Sequence, residues 1–183
     1  DPRACWPSWT QPPNGAGKPS DAGGSTVLSA TAHDLVLVSG ATGAGKTTLA
    51  TAVGAVIGYR VVNAGDLLNA RLLAAGVIVG DRSEIGPRFL QRYDQDDYVE
   101  TLLKGSREKT ILDGVRLAVG NLRLRDAYPS LLHVHRLPRG GLPADPYEDD
   151  LRQLQAMADV VVPWCERRED LARFEAALAD QLA

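Results

Sequence analysis

The sequence predicts an α/β protein in which helices cover both faces of a parallel sheet. From residue 34 onward, short apolar runs alternate with stretches of helical periodicity, which is the pattern typical of parallel sheets. The first apolar run also ends in a glycine-rich loop that leads directly into alanine-rich helical sequence. With 183 residues, the chain is long enough for one compact domain with a sizeable core.

Five apolar runs are short enough to be strands, and helical sequence separates them. The predicted strands are residues 35–39, 59–63, 108–112, 131–135 and 160–162. The first helix should end at Gly58 and the helix after the third strand before Pro129, because both residues are typical helix stops. The predicted helices are residues 46–57, 66–75, a block at 85–104, 117–127, one with Leu151, Leu154 and Met157 on its inner face, and 169–182.

The remaining residues are predicted to be a tail. Residues 1–31 have prolines among Gly, Ser, Asn and Thr without any periodicity, so we expect a flexible arm before a domain of residues 32–183. A net charge of -3 gives no electrostatic case for nucleic-acid or membrane partners. No apolar run is long enough to cross a bilayer, and two cysteines are too few for a disulfide framework. We expect a cytoplasmic monomer or homodimer.

Residues 40–47 match the phosphate-loop pattern G-x-x-x-x-G-K-[ST] at every fixed position. Glycines let the backbone approach a phosphate chain closely, and the start of the following helix attracts anions. Lys46 can then reach the β- and γ-phosphates, while the Thr47 hydroxyl can bind magnesium. The loop predicts a nucleotide site formed by Gly40, Ala41, Thr42, Gly43, Ala44, Gly45, Lys46 and Thr47.

Two aspartates follow predicted strands, and ligands of open parallel sheets bind beyond the carboxyl ends of the strands. Asp113 comes directly after the third strand, where a carboxylate can hold magnesium. Asp66 follows the second strand and should face the same site. For both residues, a helix N-cap is the alternative interpretation.

Arginines are the candidate ligands for a phosphorylated acceptor, because a guanidinium binds phosphate oxygens in bidentate fashion. We expect Arg116, Arg71 and Arg88 to bind the acceptor, with Arg82 and Arg92 in reserve.

The segments after the fourth and fifth strands supply further candidates. Arg136 and Arg139 could neutralise a transferring phosphoryl group. Trp164 could line a purine base or act as a packing anchor, whereas structural roles are expected for His133 and His135.

These motifs resemble those of the P-loop small-molecule kinases, in the branch of nucleoside monophosphate kinases and dephospho-coenzyme A kinases. The resemblance covers about residues 34–183. It rests on G-A-T-G-A-G-K-T-T at 40–48, G-D-L-L at 65–68, D-G-V-R at 113–116 and A-D-V-V-V-P at 158–163. It implies the three-layer P-loop NTPase fold, with the five strands in the order 2-3-1-4-5.

The same resemblance implies a phosphotransferase that uses ATP and Mg²⁺. It puts Lys46, Thr47 and Thr48 on ATP, Asp66 and Arg116 toward the acceptor, and Arg139 in a lid. The acceptor-binding insertion would span about residues 66–105 and a short lid about residues 136–152. The sequence departs from the monophosphate kinase pattern D-G-[FY]-P-R, because its arginine comes one residue earlier and no proline intervenes.

Three functions stay open. A phosphate monoester, with a second pKa of about 6, is largely dianionic and needs arginines to hold it, which makes a nucleoside monophosphate the leading prediction. A hydroxyl acceptor, such as dephospho-coenzyme A or a small metabolite, benefits instead from a carboxylate base, which would be Asp66. The third is a nucleotide-binding regulatory protein with little catalysis.

Overall fold

The computed structural model describes residues 33–107, 109–140, 147–165 and 168–182. Its centre is a five-stranded sheet in the order β2-β3-β1-β4-β5, and every neighbouring pair of strands is parallel. The predicted fold class and strand order are therefore confirmed. The strands are β1 (Leu35–Gly40), β2 (Arg60–Asn63), β3 (Thr110–Val115), β4 (Leu132–Arg136) and β5 (Val160–Val162).

Helices connect the strands as the sequence predicts, but the helix predicted at residues 66–75 begins at Ala64 and one predicted helical block is divided. The block predicted at residues 85–104 is two helices, because the Asp94 carboxylate accepts a hydrogen bond of 2.9 Å from the Asp97 amide and so begins a new helix. The helices are α1 (Lys46–Ile57), α2 (Ala64–Ala74), α3 (Ile85–Arg92), α4 (Gln95–Gly105), α5 (Ala118–Ala127), α6 (Glu148–Ala156) and α7 (Arg168–Leu182), and a 3-10 turn (Arg82–Glu84) precedes α3.

The sheet has an apolar core on each face. Along β1, Leu35 and Leu37 point into the core formed with α2 to α6, whereas Val36 and Val38 point into the core formed with α1 and α7. All six residues of β1 are buried, which explains why the first four, residues 35–38, are an unbroken apolar run in the sequence. The three-layer arrangement follows from these two cores.

Parallel strands bring their carboxyl ends to one edge of the sheet. At this edge Gly40 pairs with Arg136 and Asn63 pairs with Asp113, so the phosphate loop begins among the ends of β2, β3 and β4. The predictions for residues 1–31 and for the middle of the lid, residues 141–146, lie outside the described residues. None of the helices in the described ranges is long and apolar enough to cross a membrane.

Candidate functional site

The phosphate loop has a backbone that requires glycine. Gly40 has a φ of +139°, and a Cβ atom there would lie 2.3 Å from the Arg136 carbonyl oxygen of the neighbouring strand. Gly43 and Gly45 adopt φ angles of +78° and +81°, in the left-handed region that favours glycine. α1 then begins at Lys46, so its N-terminus faces the loop, and the Lys46 ammonium donates a hydrogen bond of 2.7 Å to the Ala41 carbonyl.

Thr47 and Asp113 meet at the start of α1. The Thr47 hydroxyl donates a hydrogen bond of 2.6 Å to Oδ2 of Asp113, and the Asn63 amide donates one of 3.0 Å to the same oxygen. Asp113 is buried, and its Oδ1 has no hydrogen-bond partner among the described residues. A buried carboxylate oxygen without a donor is expensive, and a hard cation would satisfy it.

These residues fit Mg²⁺. The described part of the chain contains no cluster of three or more His, Cys, Asp or Glu side chains that could hold a metal. Mg²⁺ is usually bound by one or two protein oxygens, with phosphates and water as its other ligands. The Thr47 hydroxyl and the Asp113 carboxylate supply such a pair. Asp113 also lies within β3, whereas the sequence predicted that this strand ends at residue 112.

A cavity of about 390 Å³ extends from the phosphate loop across Asp113 to the region of α2 and α3. Apolar and aromatic side chains form much of its wall, namely Leu68, Ile85, Leu90, Leu117, Tyr98 and Tyr147. Besides Lys46 and Asp113, three charged side chains line the cavity, namely Asp81, Arg82 and Arg116, and we call the part that they line the acceptor side because the sequence predicts an acceptor there. The cavity therefore joins an end formed by the glycine-rich loop to a mixed apolar and charged end.

Two arginines face this cavity. The Arg116 guanidinium donates a hydrogen bond to the Thr42 hydroxyl of the phosphate loop and lies 5.7 Å from the centre of the Tyr147 ring. Arg82 donates a hydrogen bond of 2.7 Å to the Asp66 carboxylate. This ion pair is largely in solvent, because the two side chains are 66% and 67% exposed.

Two of the arginines predicted to bind the acceptor lie elsewhere. Arg71 donates hydrogen bonds to the Asp97 carboxylate and to the Thr101 hydroxyl, the latter 2.8 Å long, and its guanidinium lies 4.7 Å from the Tyr93 ring centre. These contacts give Arg71 a packing role between α2 and α4. Arg88 is exposed on α3 and pairs with Glu84 one turn earlier, at 3.5 Å.

Arg136 lies beneath the phosphate loop and is only 2% exposed. Its Nε donates to the Ala44 carbonyl at 3.2 Å, and a terminal nitrogen donates to the Pro163 carbonyl at 2.5 Å. The guanidinium is also 5.9 Å from the Trp164 ring centre. The structure thus makes Arg136 a support for two loops, whereas the sequence had placed it near the transferring phosphoryl group.

Trp164 and Arg139 occupy the two segments where the sequence placed them. Trp164 is half-buried, and its indole Nε1 is buried without a hydrogen-bond partner in the described ranges, so both of its predicted roles stay open. Arg139 is exposed in the turn after β4.

A buried polar network that the sequence did not reveal lies at the residue before the loop. The Ser39 hydroxyl is 2.7 Å from Nε2 of His133 and 2.8 Å from Nδ1 of His135. Burial, together with the nearby Arg125 and His135, lowers the pKa of His133 to about 3. Burial and the Lys46 ammonium lower the pKa of His135 to about 4. Both rings are therefore neutral at pH 7.

Sequence reasoning also missed Asn63 and Tyr147 as cavity residues. Asn63 ends β2, so the rule that selected Asp66 from its place after this strand could have selected Asn63 as well. Tyr147 precedes α6 and has no neighbouring motif, so only the tertiary structure shows that it reaches the cavity.

Comparisons with known proteins support the fold. No protein-family model and no curated protein sequence matches the chain. Several solved structures do match it. A gluconokinase from Sinorhizobium meliloti 1021 has a TM-score of 0.53 at 19% identity, covering 83% of this chain and 94% of the gluconokinase. A shikimate kinase from Aquifex aeolicus vf5 has a TM-score of 0.52 at 14% identity, covering 80% of this chain and 96% of the other.

The chain has the fold of these P-loop kinases. A further shikimate kinase, from Bacteroides thetaiotaomicron, has a TM-score of 0.51 at 13% identity, with 81% of this chain and 97% of that chain covered. At such identities the similarity establishes the fold alone. It does not single out the branch of nucleoside monophosphate kinases and dephospho-coenzyme A kinases.

Proposed function

We propose that this protein is a phosphotransferase that uses ATP and Mg²⁺ to phosphorylate a small molecule. The observation that supports this function most strongly is the unpartnered Oδ1 of Asp113, buried beside Thr47 at the phosphate end of a cavity. The loop amides and Lys46 would bind the β- and γ-phosphates, while Thr47 and Asp113 would hold Mg²⁺. Bound Mg²⁺ supplies positive charge that stabilises the transferring phosphoryl group.

For the acceptor, we propose a hydroxyl group. Arg82 and Arg116 line the cavity together with Asp81, and Arg82 is also paired with Asp66, which does not itself line the cavity, so the described residues there offer little net positive charge for a dianionic phosphate. Asp66 provides a carboxylate that can accept the proton of an attacking hydroxyl. The gluconokinase and shikimate kinases of similar fold are named for hydroxy acids, which agrees with this choice.

A phosphate monoester, such as a nucleoside monophosphate, is the second candidate. Arg116 favours it, because this guanidinium contacts the phosphate loop through Thr42 and lines the cavity at the same time. A guanidinium in that position could bridge a donor phosphate and an acceptor phosphate.

The first experiment measures ADP release from Mg-ATP in the presence of hydroxy acids, sugars, dephospho-coenzyme A and nucleoside monophosphates. Lys46→Ala should lower turnover by about 100-fold or more, because it removes a charge that stabilises the transition state. Lys104→Ala is the matched control, since Lys104 is exposed and pairs with Glu100 on the same helix.

The product distinguishes the acceptor classes, because ³¹P NMR separates a phosphate monoester from a diphosphate. Absence of both nucleotide binding and turnover would refute the proposed function. Tight ATP binding without turnover on any acceptor would instead favour a regulatory nucleotide-binding protein.

The role of Asp66 has its own test. Asp66→Asn should lower kcat by about 100-fold or more with little change in KM if Asp66 is the base for a hydroxyl acceptor. Because Asp66 pairs with Arg82, Arg82→Gln serves as the control in which the ion pair is lost and the Asp66 carboxylate is kept. Equal and modest effects of both substitutions would contradict the base and favour the phosphate acceptor.

A further inference from the structure

Tyr147 contacts the acceptor side of the cavity from a position just before α6. It is 8% exposed, and its ring lies 5.7 Å from the Arg116 guanidinium, within the range of a cation–π contact. The cavity wall includes both residues. The aromatic ring therefore contacts the Arg116 guanidinium in addition to the hydrogen bond that this guanidinium donates to Thr42.

Gly86 makes room for Tyr147. It lies in the first turn of α3 with a helical backbone, so no unusual φ angle requires glycine there. A Cβ atom at this position would lie 2.9 Å from the Tyr147 hydroxyl oxygen, whereas the next atoms of the ring would be 3.5 Å and 3.8 Å away. Glycine is a poor helix former, so the space for Tyr147 is the physical reason for glycine at this site.

The segment that bears Arg116 is also fixed at its backbone. The Arg116 amide donates to the Tyr98 hydroxyl at 3.3 Å, and the Ala118 amide donates to the Asp150 carboxylate of α6 at 2.8 Å. These bonds fix the backbone on either side of the residue, but they do not set the orientation of the long Arg116 side chain. The guanidinium itself is restricted by its hydrogen bond to the Thr42 hydroxyl and by the Tyr147 ring.

We propose that Tyr147 is a positioning residue that holds the Arg116 guanidinium between the phosphate loop and the acceptor, and that Gly86 is required so that Tyr147 can occupy this position. This inference rests on the proposed phosphotransferase function. A guanidinium that is already oriented loses less entropy when it binds the substrate, so its orientation should affect acceptor use and leave ATP affinity nearly unchanged.

Four variants test the arrangement. Tyr147→Phe keeps the ring and Tyr147→Leu removes it. Gly86→Ala displaces the hydroxyl, and Gly86→Ala combined with Tyr147→Phe removes the clashing atom, leaving a nearest contact of 3.5 Å. Gly80→Ala is the control glycine substitution, because a Cβ there would meet nothing within 4 Å. Melting temperatures identify any variant that fails to fold.

The kinetic readout is ADP release from Mg-ATP, with water as the acceptor and then with the acceptor selected in the screen. Tyr147→Leu and Gly86→Ala should each lower kcat/KM by about 10-fold or more, a loss typical of a misplaced positioning group, while the Kd for ATP changes less than about twofold. Tyr147→Phe should keep kcat/KM near the wild-type value, and the double variant should restore it to near that value. Failure of the double variant to recover activity relative to Gly86→Ala would overturn the inference.

A second readout does not depend on catalysis. In NMR spectra of the whole chain, the ring current should shift the Nε–H resonance of Arg116 upfield. That shift should persist in Tyr147→Phe and disappear in Tyr147→Leu. An unshifted resonance in the wild-type protein would overturn the inference whatever the activity. A shifted resonance in a wild-type protein without ATP turnover would instead refute the proposed function and leave the positioning of Arg116 in place.

Discussion

His133 and His135 are buried and neutral, so acidification is a perturbation whose effect on stability follows from the structure. Their ordinary pKa is about 6.5 in an unfolded chain. In the folded protein it is lowered to about 3 for His133 and about 4 for His135, in both cases chiefly by burial. Below pH 6.5 the unfolded state therefore binds protons that the native state excludes. The stability that the two neutral histidines contribute is fully present above pH 6.5 and is lost as the pH falls toward 4.

The size of the effect follows from proton linkage. Lowering the pH from 7 to 5 should favour unfolding by about 2 kcal/mol for each histidine, or about 4 kcal/mol for the pair. This value is insensitive to the exact folded pKa, because both values lie well below 5. The loss is a large fraction of the total stability of a typical domain, which is about 5–15 kcal/mol.

The assay is urea denaturation of the wild-type protein and of His135→Gln at pH 7, 6 and 5. The variant keeps one of the two histidines, so it should show about half of the histidine contribution to the pH dependence of the unfolding free energy. The carboxylates titrate in both proteins and therefore contribute equally to both. NMR gives the direct measurement, because neither imidazole should titrate in the folded protein between pH 7 and 5. A titration midpoint near 6.5 for either ring would refute the reasoning.

Three further predictions concern the loop and the metal site. Arg136→Met should destabilise the fold by about 2 kcal/mol, because the loop carbonyls of Ala44 and Pro163 lose their donor, an effect only partly offset by removal of a buried charge. Unfolding in urea measures this, and a change below about 0.5 kcal/mol would contradict it. Asp113→Asn should raise the Mg²⁺ concentration for half-maximal turnover by about 10-fold or more, since the carboxylate charge is lost, and an unchanged Mg²⁺ titration would speak against the metal site. Gly40→Ala should lower the free energy of unfolding by about 3 kcal/mol or more, because its Cβ would lie 2.3 Å from the Arg136 carbonyl oxygen. Gly76→Ala is the control, since Gly76 has a φ of +76° but open space around it, and it should cost about 1 kcal/mol.

The sequence predicted the features that depend on neighbouring residues. The first helix begins at Lys46 and ends at Ile57 as predicted, and Gly58 closes it in the left-handed conformation with a φ of +72°. The phosphate loop was predictable because its glycines, lysine and threonine are all within a single stretch of the chain. Strand order was available only through the resemblance to P-loop kinases, since alternation of strands and helices does not fix it.

The acceptor end of the site was less predictable, because it depends on how helices rotate against one another. Arg71 and Arg88 are close to Arg82 in sequence, but packing turns the first toward α4 and leaves the second on the surface, so only Arg82 lines the cavity. Tyr147 reaches the same cavity from a distant part of the chain. No local pattern distinguishes these outcomes.

The buried Arg136 guanidinium has a consequence for any attempt to alter the segment after β5. One side chain holds both the phosphate loop, through Ala44, and the segment after β5, through Pro163 and Trp164. Selection or mutagenesis that reshapes the second segment will therefore also displace the first. We expect variants with an altered segment after β5 to bind phosphate more weakly unless a compensating change again supplies a donor to the two backbone carbonyls.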